Sequence, residues 1–322
     1  MKTHIYIAAC TGDGGICHYT QNADGSLNQT GFYPLDRPTY LAIKNNKLFV
    51  LLREPFADSE DSGVFSYDIA ENGELINPTP IISTKGRCAC HLFISDDMTP
   101  YCVNYLSGSV IKCPSTLVTH EGEGPVKPRQ DRPHTHYVNL TPDGKYVFVT
   151  DLGLDTIFTY DMDMNEVSRA KVPHGHGARH LAYSADGRHV FAANELASTV
   201  SAFDYNDGIL TLRDTASALP GDFTEESTIA AIRVRDGLIY VSNRGHDSIA
   251  CFEYSGERLK RRSITKVGGE FPRDFDFIGD FVYSTNQYTN NITVLKYNKG
   301  SLELLPLEYS APNPLAVISI KM

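Results

Sequence analysis

Four residues of this chain combine groups that bind an anion with groups that move a proton. They are His136, Arg179, Glu195 and Arg244. Arginine holds carboxylate or phosphate oxygens in a bidentate fork and stays charged at neutral pH. A histidine or a glutamate can transfer a proton, and a free guanidinium can stabilise a developing oxyanion. These residue types therefore predict acid–base chemistry on an anionic substrate, provided that the fold brings them together.

The four residues belong to a segment that occurs seven times along the chain. Each copy contains a strand with an aromatic residue, and the position three residues further on is usually polar. This position is occupied in turn by Ala9, Leu52, Asn104, Asp151, Asn194, Asn243 and Asn286. The copies recur at roughly 46 residues, and alternating strands with Asp-Gly or Asn-Gly turns surround each one. Four short antiparallel strands at this period are typical of a β-propeller blade.

The two ends of the chain indicate how such a ring would close. No strand precedes the first copy, whereas the C-terminal segment NPLAVISIKM is similar to the strand PTYLAI at 38–43. We therefore expect an all-β, seven-bladed β-propeller with four antiparallel strands per blade, in which the C-terminal strand completes the first blade. This propeller is expected to form a single domain over residues 1–322. The chain contains no tryptophan, so the Trp-Asp signature of WD40 blades is absent.

Two positions in each copy are expected to face one shared cavity. The first lies on the strand before the aromatic one, where alignment of the turns PDG and ADG matches His136 with Arg179. The second directly follows the polar strand end and is occupied by Glu195 and Arg244 in two copies. Residue types that vary at equivalent positions around a ring indicate function rather than structure. The predicted substrate-binding residues around these four are Arg273, His134, Tyr105, Gln287 and His180.

Two other interpretations apply to these residues. Any one of them could simply be a satisfied polar group that closes a turn. A metal site is the second alternative, because the histidines at 134, 136, 174, 176 and 180 are close in sequence. These histidines share no recognised ligand spacing with a carboxylate, so we expect no metal. Nucleophilic catalysis is not indicated, because the chain has no GxSxG motif.

Composition and charge restrict the partners of this protein. The formal charge of -10 argues against nucleic acid, whose partners need a basic face. No apolar run approaches the ~20 residues that span a membrane, and the N-terminal residues lack the features of a secretory signal. The seven cysteines are scattered without CxxC spacing, which is typical of free thiols in a reducing compartment. We therefore expect a cytoplasmic protein with neither nucleic-acid nor membrane partners.

Several stretches of the chain are shared with one known family. They include NYLSGSV, RQDRPHTH, DLGLDTIFTY, GARHLAYSADG, ANEL, SNRGHDSI and FPRDF. Through them the chain resembles, over essentially its full length, the lactonase family of seven-bladed propellers. That family includes bacterial propeller-type 6-phosphogluconolactonases and fungal carboxy-cis,cis-muconate cyclases. The chain departs from the family pattern at Ala178, where GPRH has proline, and at LLREP in the second copy, where members often have an Asn-Glu pair.

The resemblance implies both an activity and a set of roles. It implies that His136, Arg179, Glu195 and Arg244 are catalytic, with His136 or Glu195 as the general base. The implied reaction is hydrolysis of a small anionic lactone, foremost 6-phosphoglucono-δ-lactone to 6-phosphogluconate, which needs no cofactor. A muconate cyclase would use the same arginines and one proton-transfer group, and a non-catalytic propeller would bind an anionic sugar or a protein on this face. The residues leave these alternatives open.

Overall fold

The computed structural model describes residues 1–322 and consists of strands, turns and loops without a helix. Its strands form seven antiparallel sheets, the blades of a propeller. The predicted architecture of seven four-stranded blades is thus confirmed, and blade 2 adds one short strand to it. The structure contains no helix with the length and apolar character that crossing a membrane requires.

The strands of each blade follow one another from the inner to the outer edge of its sheet. Blade 1 contains β29 (Pro314–Lys321), β1 (Thr3–Ala9), β2 (Gly15–Gln21) and β3 (Leu27–Pro34). Blade 2 contains β4 (Pro38–Lys44), β5 (Lys47–Leu52), β6 (Gly63–Ile69) and β7 (Leu75–Ile76), and β8 (Ile82–Ser83) also pairs with β6. Blade 3 contains β9 (Ala89–Ile94), β10 (Pro100–Asn104), β11 (Ser109–Lys112) and β12 (Thr116–Thr119).

The remaining blades have the same order. Blade 4 contains β13 (Thr135–Leu140), β14 (Val147–Asp151), β15 (Thr156–Tyr160) and β16 (Glu166–Lys171). Blade 5 contains β17 (Ala178–Tyr183), β18 (His189–Asn194), β19 (Thr199–Asn206) and β20 (Ile209–Ser217). Blade 6 contains β21 (Thr228–Arg235), β22 (Leu238–Arg244), β23 (Ser248–Tyr254) and β24 (Leu259–Lys266). Blade 7 contains β25 (Pro272–Ile278), β26 (Phe281–Asn286), β27 (Asn291–Asn298) and β28 (Ser301–Ser310).

The ring closes through the C-terminal strand, as predicted. Strand β29 pairs antiparallel with β1, so that Ile5 lies opposite Ser319 and Ile7 opposite Val317. The inner strands contact one another from blade to blade, and β29 lies between β25 and β4. The first and last strands of the chain therefore share one sheet, which ties the two ends of the chain together.

The hydrophobic core lies between the blades. It falls into seven clusters, each formed by two adjacent blades. In one of them, Phe148 of blade 4 shares a cluster with Leu181 and Val190 of blade 5. Every residue of β14 and β15 is buried, whereas β16 at the outer edge buries none. The middle strands are largely apolar because neighbouring blades cover both of their faces.

The polar residues at the strand ends are structural. Asn104 is fully buried, and its Nδ2 donates to the Thr84 carbonyl and to Ser109 Oγ at 3.0 and 3.1 Å. Asn243 makes an equivalent pair of hydrogen bonds in blade 6. These bonds fix the end of the second strand. They therefore also fix the backbone position of the residue that directly follows it.

Candidate active site

The inner strand of every blade is interrupted at the same place. The pairing register shifts there and passes over one residue, or two in blade 6, which is the geometry of a β-bulge. The residues passed over are Thr39, Cys90, His136, Arg179, Ala230 with Ala231, Arg273 and Leu315. A bulge re-aims its extra side chain, and all of these residues except the two alanines line one central cavity. The structure therefore brings together the residues that the aligned turns had matched.

The position after the strand end lines the same cavity. The residues that do so are Arg53, Tyr105, Glu195, Arg244 and Gln287. Blades 1 and 4 are exceptions, because Cys10 and Leu152 at this position are buried and do not line the cavity. These two positions thus supply the four predicted catalytic residues and much of the wall around them.

The cavity has the size and the charge expected of a site for a polar small molecule. Its volume is about 810 Å³, within the range of roughly 300–1,000 Å³ that is usual for such sites. The carboxylates that line it belong to Glu195, Glu226, Asp247, Glu270 and Asp274. The guanidiniums that line it belong to Arg53, Arg129, Arg179, Arg244 and Arg273. Because Arg53 and Arg273 pair with none of these carboxylates, the cavity favours an anionic ligand.

Glu195 is the centre of a group that we call the arginine–glutamate cluster, which comprises Glu195, Arg129, Arg179 and Arg244. Arg179 Nε lies 2.8 Å and Arg244 Nη2 3.0 Å from Glu195 Oε2. Arg129 Nη2 donates to the other oxygen, Oε1. Only 4% of Glu195 is exposed, so these charge-assisted bonds form away from bulk water. Both carboxylate oxygens are therefore occupied.

The environment of Glu195 makes it a weak base. Burial would raise its pKa, but the guanidiniums of Arg244 and Arg179 outweigh burial and hold the pKa well below the usual range for glutamate. A carboxylate that accepts from three guanidiniums stays ionised at neutral pH and orients its partners. Of the two predicted bases, the geometry favours His136.

Arg179 and Arg244 are each held by one further backbone acceptor. Arg179 Nη1 donates to the Ala230 carbonyl at 2.6 Å, and Arg244 Nη2 donates to the Ile229 carbonyl at 3.1 Å. Burial lowers the pKa of Arg179 to about 9 despite Glu195, so it remains a cation at pH 7. The Arg244 guanidinium also lies over the Phe271 ring, 4.9 Å from its centroid. Both guanidiniums are thus fixed in place before a ligand arrives.

His136 is a buried and neutral imidazole in the wall of the cavity. Burial, and next the positive charge of Arg179, hold its pKa well below the usual value of 6.5. Its Nδ1 lies 3.7 Å from Cys90 Sγ, whereas its Nε2 makes no hydrogen bond within the chain. The ring meets those of Tyr105 and His180 edge-on, at centroid distances of 5.6 and 5.2 Å. This imidazole is therefore neutral at pH 7, which is the form that a general base requires.

The predicted substrate-binding residues divide between two places. Arg273, Tyr105, Gln287 and His180 line the central cavity. His134 does not: it stacks on Tyr105 with centroids 4.4 Å apart and lines a neighbouring depression. His180 lies deep, with its Nε2 enclosed and without a partner. No group of three or more His, Cys, Asp or Glu side chains is arranged to hold a metal ion.

Arg129 is a cavity residue that the repeat did not predict and that contacts Glu195. It lies on the long connection from β12 to β13, outside every strand. The neighbouring Gln130 is fully buried, and its Nε2 donates to the Leu152 carbonyl and to Asp155 Oδ1 at 2.8 and 2.7 Å. This anchor allows Arg129 to reach Glu195. The stretch RQDRPHTH contained the signal, but its first arginine has no counterpart in the other blades.

Comparison with known proteins relates the whole chain to one family. Residues 4–319 match the family model described as lactonase, 7-bladed beta-propeller. An uncharacterised protein of Staphylococcus aureus strain USA300 is 35% identical over 325 residues, which covers 92% of this chain and 93% of the relative.

Solved structures share the fold over their full length. A Lactobacillus plantarum protein superposes with a TM-score of 0.91 at 28% identity and covers 100% of both chains. The periplasmic gluconolactonase of Pseudomonas aeruginosa has a TM-score of 0.89 at 24% identity, covering 100% of this chain and 99% of its own. A candidate 6-phosphogluconolactonase of Bacteroides fragilis has the same TM-score and identity, with coverage of 99% and 98%. At 24% identity the likeness shows the fold alone.

Proposed function

The chain belongs to the family of seven-bladed β-propeller lactonases, and from this premise we propose that it hydrolyses 6-phosphoglucono-δ-lactone to 6-phosphogluconate. The observation that carries the proposal is the neutral His136, which lines the same cavity as the Glu195-bound guanidiniums. Lactone hydrolysis needs one group to accept a proton and another to stabilise the oxyanion. The names of the Pseudomonas and Bacteroides proteins, a gluconolactonase and a candidate 6-phosphogluconolactonase, agree with a sugar lactone as the substrate class.

The first step is attack by water on the lactone carbonyl. His136 Nε2 takes one proton from the water while its oxygen bonds to the carbonyl carbon, and the carbonyl electrons move onto oxygen. The resulting tetrahedral oxyanion is stabilised by the guanidiniums of Arg179 and Arg244. Arg244 Nη1 donates to no group of the chain and is available for this bond.

The second step is ring opening. The oxyanion collapses, the bond from the carbonyl carbon to the ring oxygen breaks, and the His136 imidazolium returns its proton to the departing oxygen. This proton transfer leaves the imidazole neutral again. The product is a carboxylic acid, which ionises in water. Glu195 takes no part in the proton transfer and holds Arg179 and Arg244 in position.

The proposal is tested by the rate at which freshly prepared 6-phosphoglucono-δ-lactone is hydrolysed above its spontaneous background. We expect His136→Ala to lower kcat by about 10²- to 10⁴-fold, the usual contribution of a general base. His174→Ala is the matched control, because that side chain is 84% exposed and does not line the cavity. A wild-type rate equal to the background would refute the proposed activity. Equal rates for wild type and His136→Ala would refute the role of His136.

A further inference from the structure

Arg53 and Arg273 differ from all other arginines of this chain. Neither guanidinium donates a hydrogen bond or lies in an ion pair, whereas every other arginine side chain does one or both. Both of these arginines line the central cavity. Arg53 Nε, like Arg244 Nε, is also enclosed by the protein without an acceptor. The chain therefore leaves two positive charges uncompensated in the place where a ligand would bind.

The lack of partners is not due to a lack of nearby acids. Glu54 follows Arg53 directly, but it accepts from Arg37 Nη1 at 2.8 Å. Asp274 follows Arg273, but it accepts from Arg233 Nη2 at 2.8 Å. Each neighbouring carboxylate is thus bound to a different arginine. An unpaired and partly buried cation costs folding free energy, which is offset when an anion binds.

The two arginines act on one region of the cavity. Arg53 follows β5 in blade 2 and Arg273 lies in β25 of blade 7, so they flank blade 1 from its two sides. Blade 1 itself contributes the apolar Leu315 to the wall. Burial raises the pKa of the Cys10 thiol at the end of blade 1, and both guanidiniums act against that rise. Their positive fields therefore overlap in front of blade 1, and the field of Arg273 also reaches Arg179 and Arg244.

We propose that Arg53 and Arg273 form a phosphate-binding subsite for the phosphate ester of the substrate, while the lactone carbonyl lies against the arginine–glutamate cluster. This inference rests on the proposed function. Two unpaired guanidiniums match a dianionic phosphate in charge, and each can hold two of its oxygens in a fork. Arg179 and Arg244 are paired with the carboxylate of Glu195. Arg53 and Arg273 are paired with no carboxylate. The substrate itself supplies the missing anion.

The subsite is tested with a pair of substrates that differ only in the phosphate. The measured quantity is kcat/KM for 6-phosphoglucono-δ-lactone divided by kcat/KM for glucono-δ-lactone. We expect Arg53→Gln and Arg273→Gln each to lower this ratio by about 10- to 100-fold, the usual loss of a charge-assisted hydrogen bond. Arg53→Lys, which keeps the charge but not the fork, should fall between wild type and Arg53→Gln. An unchanged ratio in both glutamine variants would overturn the subsite.

A second experiment keeps the subsite separate from the activity. Binding of inorganic phosphate is measured by calorimetry for wild type, for the double variant Arg53→Gln/Arg273→Gln and for Arg258→Gln. Arg258 is the control because its side chain is 82% exposed and pairs with Asp214 on the surface. We expect binding to weaken at least about tenfold in the double variant alone. Phosphate binding without lactone turnover would retain the subsite and refute the proposed function, whereas equal binding by all three proteins would overturn the subsite.

Thermal unfolding shows whether the two arginines have a structural role instead. Neither guanidinium has a partner to lose, so we expect the double variant to unfold at the same temperature as wild type or at a higher one. Added phosphate should raise the unfolding temperature of wild type but not that of the double variant. A double variant that unfolds at a lower temperature without phosphate would mean that these side chains support the fold, which contradicts the proposal.

Discussion

Arginines on two sides of the same cavity meet opposite environments. In the arginine–glutamate cluster, Arg179 and Arg244 share Oε2 of Glu195 and also donate to backbone carbonyls. In front of blade 1, Arg53 and Arg273 have no partner. The guanidiniums of the first side already pair with a carboxylate, although Arg244 Nε has no acceptor. Those of the second side have no anion until a ligand binds.

This difference separates two tasks that a single enzyme must perform. Groups that stabilise a transition state work best when they are held rigidly before the reaction, because no energy is then spent on moving them. Groups that bind the unreactive end of a substrate work best when they have no other partner to give up. We therefore propose that the paired arginines of the cavity serve catalysis and that its free arginines serve binding.

The comparison predicts its largest effect for Glu195→Gln. Removal of the carboxylate leaves the buried guanidiniums uncompensated, which should lower the free energy of unfolding by about 3–5 kcal/mol. It should also lower kcat/KM by about 10²- to 10³-fold, because Arg179 and Arg244 lose their orientation. Urea unfolding and steady-state kinetics measure the two effects.

The matched control for Glu195→Gln is Glu270→Gln. Glu270 also lines the cavity, but it is exposed and makes no ion pair, so its replacement should change the unfolding free energy by less than about 0.5 kcal/mol. If the two variants were equally stable, the paired side of the cavity would not be held by Glu195, and the contrast between the two sides would be lost.

A pH profile gives the next largest effect and reports on His136. Since its pKa lies well below 6.5, the imidazole is a neutral base throughout the neutral range and gains a proton only in acid. We expect kcat/KM, corrected for spontaneous hydrolysis, to be flat from about pH 7.5 to 6.5 and to fall by up to tenfold per pH unit below its pKa. A midpoint at or above 6.5 would be inconsistent with this assignment.

The same profile in Arg273→Gln sharpens the comparison. The charge of Arg273 contributes to the low pKa of His136, after burial and Arg179. Its removal should therefore move the acid limb of the profile toward higher pH. A limb that does not move would show that the unpaired side acts on the phosphate alone.

The fold could be predicted from the sequence because each blade buries the same kinds of residue. The period of the aromatic strands and the similarity between the two ends of the chain were sufficient for seven blades and for the closure through β29. The cavity positions were predictable for a related reason. The bulge falls at the same place in every blade, so the aligned turns matched His136 with Arg179 although the bulge itself leaves no mark in the sequence.

The repeat did not predict the positions of His134 and Arg129, which lie outside the strands that recur in every blade. His134 and His136 would share a face on a regular strand, but β13 begins at Thr135 and the bulge at His136 breaks the alternation. His134 therefore contacts Tyr105 and not the central cavity. Arg129 was missed because a connection between blades has no equivalent position with which to align it.

Arg129→Gln should have the smallest effect. Arg129 bonds to Oε1 of Glu195 and lies 3.3 Å from the Tyr105 hydroxyl, but its side chain is 42% exposed. Because solvent and salt screen such a pair, its loss should cost less than about 1 kcal/mol of stability and lower kcat/KM by a few-fold, less at high salt. Arg132→Gln, on the same connection and 61% exposed, is the control and should change neither quantity. A loss as large as that of Glu195→Gln would mean that Arg129 holds the carboxylate as firmly as Arg179 and Arg244 do. The paired side of the cavity would then include the connection between β12 and β13.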